Sequence, residues 1–299
     1  MKNDALISVC MITYNQQDYI KQAVDSVLSQ ETDYSFELNI FNDASTDNTD
    51  DVIRSIIDAH PKGKLIHYHL HPENIGLSAN YIFSIKNCMG KYVAICEGDD
   101  YWIDNHKLQK QVDYLEKNPG CYLCFHKAIR LNVEDNLYAV YPLIEQVDFT
   151  DRNFFSLTTI PMASVVFRNT EKIYFNDQSV QLDFNLLCSL MSLGVAHMVN
   201  EVMSVYRVHY KATTFCRSAQ DFKHRLNCLL AESQYKGYNT VVKKEIGRLY
   251  VLHVLQLLTT FPDQTNFKEK LNYLLHSLLI SKTAKNYLQD YKTILKFIL

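Results

Sequence analysis

Leu6-Ile7-Ser8-Val9-Cys10-Met11-Ile12-Thr13 is an unbroken apolar run rich in β-branched residues, and Ile20, Ala23, Val24, Val27 and Leu28 follow it at i, i+3, i+4, i+7 and i+8. The first pattern lacks polar alternation, so it describes a strand covered on both faces; the second is one face of a helix. The same alternation continues outward. Phe36 to Phe41 reads as a strand, and Thr49, Val52, Ile53, Ile56 and Ile57 read as a helix with Ser and Asp residues ahead of it as caps. Lys64 to Leu70 is a third strand, Leu77 to Lys86 a third helix and Tyr92 to Cys96 a fourth strand.

Strand–helix alternation at this spacing gives right-handed crossovers and a parallel sheet, Rossmann-like over residues 1–100. Beyond it the pattern predicts a helix over Lys107 to Glu116 and a strand over Tyr122 to Leu131. A less regular stretch to about Pro161 follows, then a strand over Met162 to Phe167, a helix over Asp183 to Leu193 ended by Gly194, and a strand over His197 to Val208. After Thr214 strand signals vanish. The expectation is an α/β part over 1–214 and an all-helical region over 215–299, whose stripes (Leu249, Leu252, Val254, Leu255, Leu258, Leu271, Leu274, Leu275, Leu278) need cover. Packing back on the α/β part is the first expectation and self-association the second.

The chain has 299 residues, 30 Lys+Arg against 33 Asp+Glu and a formal charge of −3, a balance that argues against nucleic acid as a partner. No apolar run reaches the roughly 18 residues that span a bilayer. The opening Met1-Lys2-Asn3-Asp4 carries no signal-peptide pattern, and the eight Cys sit mostly in apolar segments, as reduced thiols do. These features are read as cytoplasmic. The basic, aromatic end (Lys282, Lys285, Tyr287, Tyr291, Lys292, Lys296, Phe297) is a candidate for peripheral contact with the inner face of a membrane.

In a doubly wound sheet, ligands bind beyond the carboxyl ends of the strands. Those ends are all polar here: Thr13-Tyr14-Asn15-Gln16, Asn42 to Thr49, Pro72 to Gly76, and Glu97-Gly98-Asp99-Asp100. Any one is explained by turn and cap chemistry; four on one rim read as a site. Glu97, Asp99 and Asp100 place three carboxylates in four residues behind a buried strand, a set that a hard cation such as Mg2+ or Mn2+ would neutralise, or that a surface turn with a helix cap would also explain. Neither G-x-G-x-x-G nor G-x-x-x-x-G-K-[ST] occurs, which argues against a dehydrogenase and a P-loop NTPase.

Val9 to Asn15, Asn42-Asp43-Ala44-Ser45-Thr46-Asp47-Asn48-Thr49, Asn74-Ile75-Gly76 with Asn80, and Glu97-Gly98-Asp99-Asp100 resemble, in order and spacing, the family 2 inverting glycosyltransferases of GT-A fold. The resemblance covers about residues 5–212. It implies a Rossmann-like, mostly parallel central sheet flanked by helices, a nucleotide-diphosphate-sugar donor (a UDP-sugar first), a Mn2+ or Mg2+ cofactor, and a glycan or lipid-linked glycan acceptor in surface polysaccharide synthesis. Thr13 and Asn15 would lie beside the base, and Asp43 on base or ribose. Asp99 would hold the metal, with Glu97 near the ribose and Tyr14, Asn80, Gly98 and Asp100 completing the donor site. Two positions depart from the family pattern: Asn42 stands where an acid is common, and Glu97 replaces the first Asp of D-x-D.

The family also needs a general base. Gln181-Leu182-Asp183-Phe184 resembles the segment in which an acid opens a helix, which makes Asp183 the candidate, ionised by the helix N-terminus; a plain first-turn acid is the alternative. Tyr206-Arg207-Val208-His209 resembles the family segment whose His completes the metal or diphosphate site, so Arg207 and His209 would face the leaving diphosphate. The rival readings are a sugar nucleotidyltransferase, which would want a Gly-rich basic N-terminal signature, and a non-catalytic partner working through its C-terminal helices. His67, His69 and His71 alternate along one strand and read as an exposed face. Cys121-x-x-Cys124 with His126 lacks a second ligand pair and reads as buried thiols.

Overall fold

The computed structural model describes residues 6–154, 160–175, 182–209 and 218–276, except 267, 271 and 274. The expected alternation is present: β1 (Ile7–Thr13), α1 (Ile20–Leu28), β2 (Phe36–Asn42), α2 (Thr49–Ala59), β3 (Ile66–Leu70), α3 (Leu77–Asn87) and β4 (Tyr92–Ile95). Then come β5 (Tyr101–Trp102), α4 (Lys107–Lys117), β6 (Cys121–Asn132), β7 (Leu137–Tyr141), β8 (Asp148–Phe149), β9 (Val166–Arg168), α5 (Leu182–Leu193) and β10 (Val195–Val208). One sheet runs β3-β2-β1-β4-β9-β6-β10-β5, with β7 on β6 and β8 on β10. β1, β2, β3 and β4 pair in parallel, and so do β6 and β10; β9 is antiparallel to both of its neighbours.

All seven residues of β1 are buried, as its unbroken apolar pattern requires. Its alternate side chains enter two cores. Val9 and Met11 join Leu38, Ile40 and Ala94 beneath α1, α2 and α4, while Cys10 and Ile12 join Val93, Ile95 and Phe125 beneath α3 and α5. Glu97 follows Val93 and Ile95 at period two, so it continues the α3/α5 face.

Four strands differ from the sequence reading, among them the two-residue β5, which shows no pattern of its own. The strand expected over Met162 to Phe167 divides into a 3-10 turn at Met162–Ser164 and β9, which runs opposite to β4 and β6. The irregular stretch before Pro161 contains β7 and β8. All but the last residue of β7 are exposed and β8 is two residues long, so neither carries a burial period that a sequence could display.

Beyond the sheet, α6 (Ala219–Gln234) and α7 (Thr240–Thr260) pack back on α5. Leu226, Leu229, Ile246, Val254 and Leu257 are fully buried in the same core as Leu186 and Leu190 of α5 and Phe125 of β6. Each such side chain contributes about 1.5–3 kcal/mol by leaving water. A buried polar link reinforces the joint: Asn185 Nδ2 donates to Glu232 Oε2 (2.8 Å) and to the Tyr238 hydroxyl (2.7 Å), which itself donates to Glu232 Oε2 (2.7 Å). Within the expected stripe, Val254 and Leu258 are buried, but Leu252 and Leu275 are exposed because they lie on the outer side of their helices. Leu271, Leu274, Leu278 and the basic, aromatic end lie outside the described residues. No helix among the described residues is long and apolar enough to cross a membrane.

Candidate active site

The rim beyond β1, β2 and β3 is laced by its own hydrogen bonds. Asn15, at φ 53°, accepts from Thr46 N on its side-chain oxygen (2.7 Å), and its backbone N–H donates to Ser45 Oγ (2.9 Å). Asp43 is 3% exposed; one carboxylate oxygen accepts from Ile75 N (2.8 Å) and the other from Gly76 N (3.0 Å), so this acid holds the turn that opens α3. Asn80 is buried in α3, its amide donating to Phe41 O (3.2 Å) and its oxygen lying 3.0 Å from His71 Nε2. These contacts make Asn80 a bracket between α3 and β2. Asn42 accepts from Ser45 N and Ser45 Oγ and donates to Tyr68, which explains the amide in place of the family's acid: it caps this turn. His67 and His69 are exposed as expected; His71 is not, because Asn80 draws it inward. Cys121, Cys124 and His126 are buried, and the two cysteines are free thiols.

The acidic turn at the end of β4 is assembled from distant parts. β5 follows it immediately and pairs antiparallel with β10, Val205 opposite Tyr101, which carries Arg207 and His209 back over Asp99 and Asp100. Asp99 Oδ2 lies 3.0 Å from His209 Nε2. Arg207 donates from its backbone N–H to Asp100 Oδ1 (2.9 Å), and from its guanidinium to Asp99 O (2.6 Å) and to Gln22. The same guanidinium lies over Tyr101 (4.3 Å) and Tyr19 (5.1 Å), and burial lowers its pKa without discharging it. Arg207, expected to face a diphosphate, is thus placed as a clamp under the turn. Gly98 packs close to Gln16 and Thr13: a Cβ there would meet Gln16 Oε1 and lie 2.9 Å from Thr13 Oγ1, so a larger residue would have to displace these side chains. Thr13 Oγ1, Gln16 Oε1 and Asp100 Oδ2 are buried without a hydrogen-bond partner among the described residues. Tyr14 is exposed on the rim.

Electrostatically this side is crowded. Burial holds Glu97 well above the usual carboxylate range, and the charges of Asp183, Asp99 and Asp100 add to it; burial and Asp99 do the same to Asp100. Asp183, in the first turn of α5, has an exposed side chain, yet desolvation by the protein around its carboxyl pushes it up to about 6. The expected lowering by the helix N-terminus is therefore corrected: its own N–H does pull downward, but desolvation prevails. A carboxylate so displaced is better matched to proton abstraction near neutral pH. Tyr81, one residue after Asn80 on α3, escaped the sequence reading. It is 3% exposed, and its pKa is raised by burial, then by Asp183 and Glu97. Nothing in its helical spacing distinguished it from a core aromatic.

For a metal, Asp99 and His209 supply one carboxylate oxygen and one imidazole nitrogen 3.0 Å apart. No cluster of three or more His, Cys, Asp or Glu groups suited to a metal occurs among the described residues. Two protein ligands fit Mn2+ or Mg2+ whose remaining positions are filled by phosphate oxygens and water.

Comparison with known proteins agrees with this geometry. The chain is 35% identical over 206 residues to an uncharacterized protein of Mycobacterium tuberculosis, an alignment covering 68% of this chain and 59% of that one, so it spans under two thirds of that relative. It is 34% identical over 110 residues to Bacillus subtilis TuaG, described as a teichuronic acid biosynthesis glycosyltransferase, covering 37% of this chain and 42% of that one. Staphylococcus aureus TarS solved with UDP shares the fold at a TM-score of 0.68 and 14% identity, over 98% of this chain and 90% of that one. A Pyrobaculum calidifontis mannosyltransferase solved with GDP-Man and Mn2+ gives 0.56 at 14% identity, over 99% and 86%. The sheet with its flanking helices is the GT-A arrangement of such glycosyltransferases. Residues 8–172, more than half of the chain, match the description Glycosyl transferase family 2, and the chain belongs to that family.

Proposed function

We propose that this protein transfers a sugar from a nucleotide-diphosphate sugar, a UDP-sugar first, to a hydroxyl of a glycan or lipid-linked glycan in surface polysaccharide synthesis, with inversion at the anomeric carbon. The observation that carries the reading is the acidic turn after β4, where Asp99 Oδ2 lies 3.0 Å from His209 Nε2, in a chain of glycosyl transferase family 2. TarS, solved with UDP and in another structure with UDP-GlcNAc, and the family 2 match support the donor class.

In this mechanism Asp183 takes the proton of the acceptor hydroxyl as its oxygen bonds to the anomeric carbon, and the bond to the diphosphate breaks on the opposite face. One displacement then inverts the centre and needs no covalent enzyme intermediate. Asp99 and His209 would hold Mn2+ or Mg2+, which when bound neutralises charge on the diphosphate. Arg207 keeps Asp99 in place by gripping its carbonyl from below, and Asp43 fixes the 74–76 turn against the nucleotide side. Thr13, Tyr14, Asn15, Glu97, Gly98 and Asp100 border the donor, with Asn80 supporting them from α3. In this reading residues 1–214 are the catalytic part and 215–299 an accessory region, whose described helices α6 and α7 cover α5, and the protein works on the cytoplasmic side.

The test is titration of UDP and GDP with and without Mn2+, followed by mass spectrometry of donor hydrolysis across a panel of nucleotide sugars. Metal-dependent binding of one diphosphate and its release from one sugar are expected. A protein that binds neither diphosphate overturns the reading.

A further inference from the structure

Beside β10 the sheet continues into a ribbon, β6 with β7, whose outer end the core does not cover. Tyr206, Arg130 and Ala139 lie abreast on β10, β6 and β7, with Ala128 opposite Tyr141 on one side of them and Asn132 opposite Leu137 on the other, and no register shift intervenes. Alternation therefore puts all of them on one face. Next to the small, fully buried Ala128, the half-buried rings of Tyr141 and Tyr206 meet edge-on with centroids 6.3 Å apart. The peptide after Tyr206 is fastened to the acidic turn, Arg207 N–H donating to Asp100 Oδ1 at 2.9 Å. From there the face opens into water: Arg130 and Ala139 are exposed, and Leu137 is 66% exposed. It thus begins at the candidate active site and ends in solvent about 10 Å away on β7, two strand spacings from β10. An edge strand is ordinarily guarded by charge, yet Leu137 to Ile144 carries none, and among the described residues β7 pairs with β6 alone. The face is too narrow for another protein, because five residues of ribbon fall far below the about 20–30 residues a side of a stable interface. Glu134 and Asp135 at its tip would be repelled by an anionic membrane. A tyrosine pair with a guanidinium beside it suits a sugar ring, which offers a C–H face to the aromatic and hydroxyls to the cation.

We propose that this face is an acceptor-glycan subsite: sugar rings behind the reacting hydroxyl lie along it, one stacked on Tyr206 and the next hydrogen-bonded by Arg130. This inference rests on the glycosyltransferase reading above and deepens it. Isothermal titration with cellohexaose, maltohexaose, xylohexaose and chitohexaose probes the face, and a separate titration with UDP and Mn2+ probes the donor site. Wild type should bind at least one of the oligosaccharides. For the one bound most tightly, Tyr206→Ala and Arg130→Ala should each lose about five- to tenfold in affinity, while UDP affinity stays within about twofold. Tyr206→Phe keeps the ring and should stay within about twofold of wild type for the sugar as well. Tyr138 is 71% exposed on the opposite face of β7, so Tyr138→Ala should bind the sugar as wild type does.

A melting scan of each variant accompanies the titrations. Arg130→Ala changes an exposed side chain and should melt within about 2 °C of wild type, so it carries the test even if Tyr206→Ala unfolds early. Unchanged sugar affinity in Arg130→Ala, or a loss in Tyr138→Ala equal to that in Arg130→Ala, overturns the subsite and leaves the donor reading intact. So does a wild type that binds UDP but none of the oligosaccharides. A wild-type dimer in sedimentation that Arg130→Ala dissociates would assign the face to a second copy and likewise overturn the proposal. A wild type that binds neither UDP nor any oligosaccharide removes the donor reading itself, and the subsite falls with it.

Discussion

Around β2, β3 and the Asn15 turn the polar groups at the strand ends satisfy one another, whereas Thr13, Gln16 and the turn after β4 leave buried oxygens without a partner among the described residues. Asp43 is buried yet both of its oxygens accept backbone N–H groups, and Asn15 and Asn42 tie the neighbouring turn. On the β4, α3 and α5 side, burial raises Glu97, Asp100 and Asp183, and Asp100 Oδ2 and the Tyr81 hydroxyl have no partner among the described residues. Apart from Thr13 Oγ1 and Gln16 Oε1, which lie against Gly98 of the acidic turn, the first region is finished before any ligand arrives. The second concentrates like charge that a cation and a polar substrate would relieve, the pattern expected where binding and chemistry take place. Substitutions should therefore act differently in the two: on stability in the first, on turnover in the second.

The largest effect should come from the crowded side. Asp99→Ala is expected to lower turnover by about 10³-fold or more and to abolish the Mn2+ dependence of UDP binding, because it removes the carboxylate that pairs with His209. Titrating UDP with and without Mn2+ checks it; unchanged metal dependence would take the metal role away from this residue.

Next is Asp183→Asn, for which we expect a loss of roughly 10² in turnover with donor binding retained, since only proton transfer is removed. The wild-type rate should fall as pH drops through about 6, where Asp183 gains its proton. Stability should move the opposite way. With the carboxyl raised from 3.8 to about 6, the native state keeps a proton that the unfolded chain has released between these values, so raising pH through that window destabilises the ligand-free fold. Asp183→Asn should flatten that slope in melting scans from pH 4 to 7; an unaltered slope would show that the carboxyl is not displaced.

On the satisfied side, Asp43→Ala should cost about 2–4 kcal/mol in denaturant unfolding, by freeing the N–H groups of Ile75 and Gly76, and weaken UDP binding about tenfold. A variant as stable as wild type would erase the contrast between the regions. The smallest functional effect belongs to Tyr238→Phe, which removes a donor to Glu232 in the joint between α5 and the C-terminal helices. A loss of about 1–2 kcal/mol with unaltered UDP affinity is expected; a changed affinity would mean that α6 and α7 reach the donor site.

Much of the first region was readable because it is local. The β1-to-β4 elements follow from period, caps and β-branched runs, and the rim motifs lie a few residues beyond each strand. The arrangement around Asp99 was only partly readable. His209 could be named by resemblance, but its 3.0 Å approach to Asp99 depends on a two-residue strand, β5, too short to show a pattern. Arg207, expected to face a diphosphate, becomes a clamp only because Tyr19 and the Asp99–Tyr101 turn come from two other places in the chain.

Local pattern was sufficient for the parallel half of the sheet, the acidic turn and the helical character of the C-terminal part, since each depends on side chains within a few residues of one another. Three features depended on how distant segments meet: β9 inserted antiparallel between β4 and β6, the covering of α5 by α6 and α7, and the raised carboxyl of Asp183. The reason is the same in each case. Packing and burial act through space, so strand order, helix cover and the desolvation that lifts the Asp183 carboxyl all depend on contacts between residues far apart in the chain.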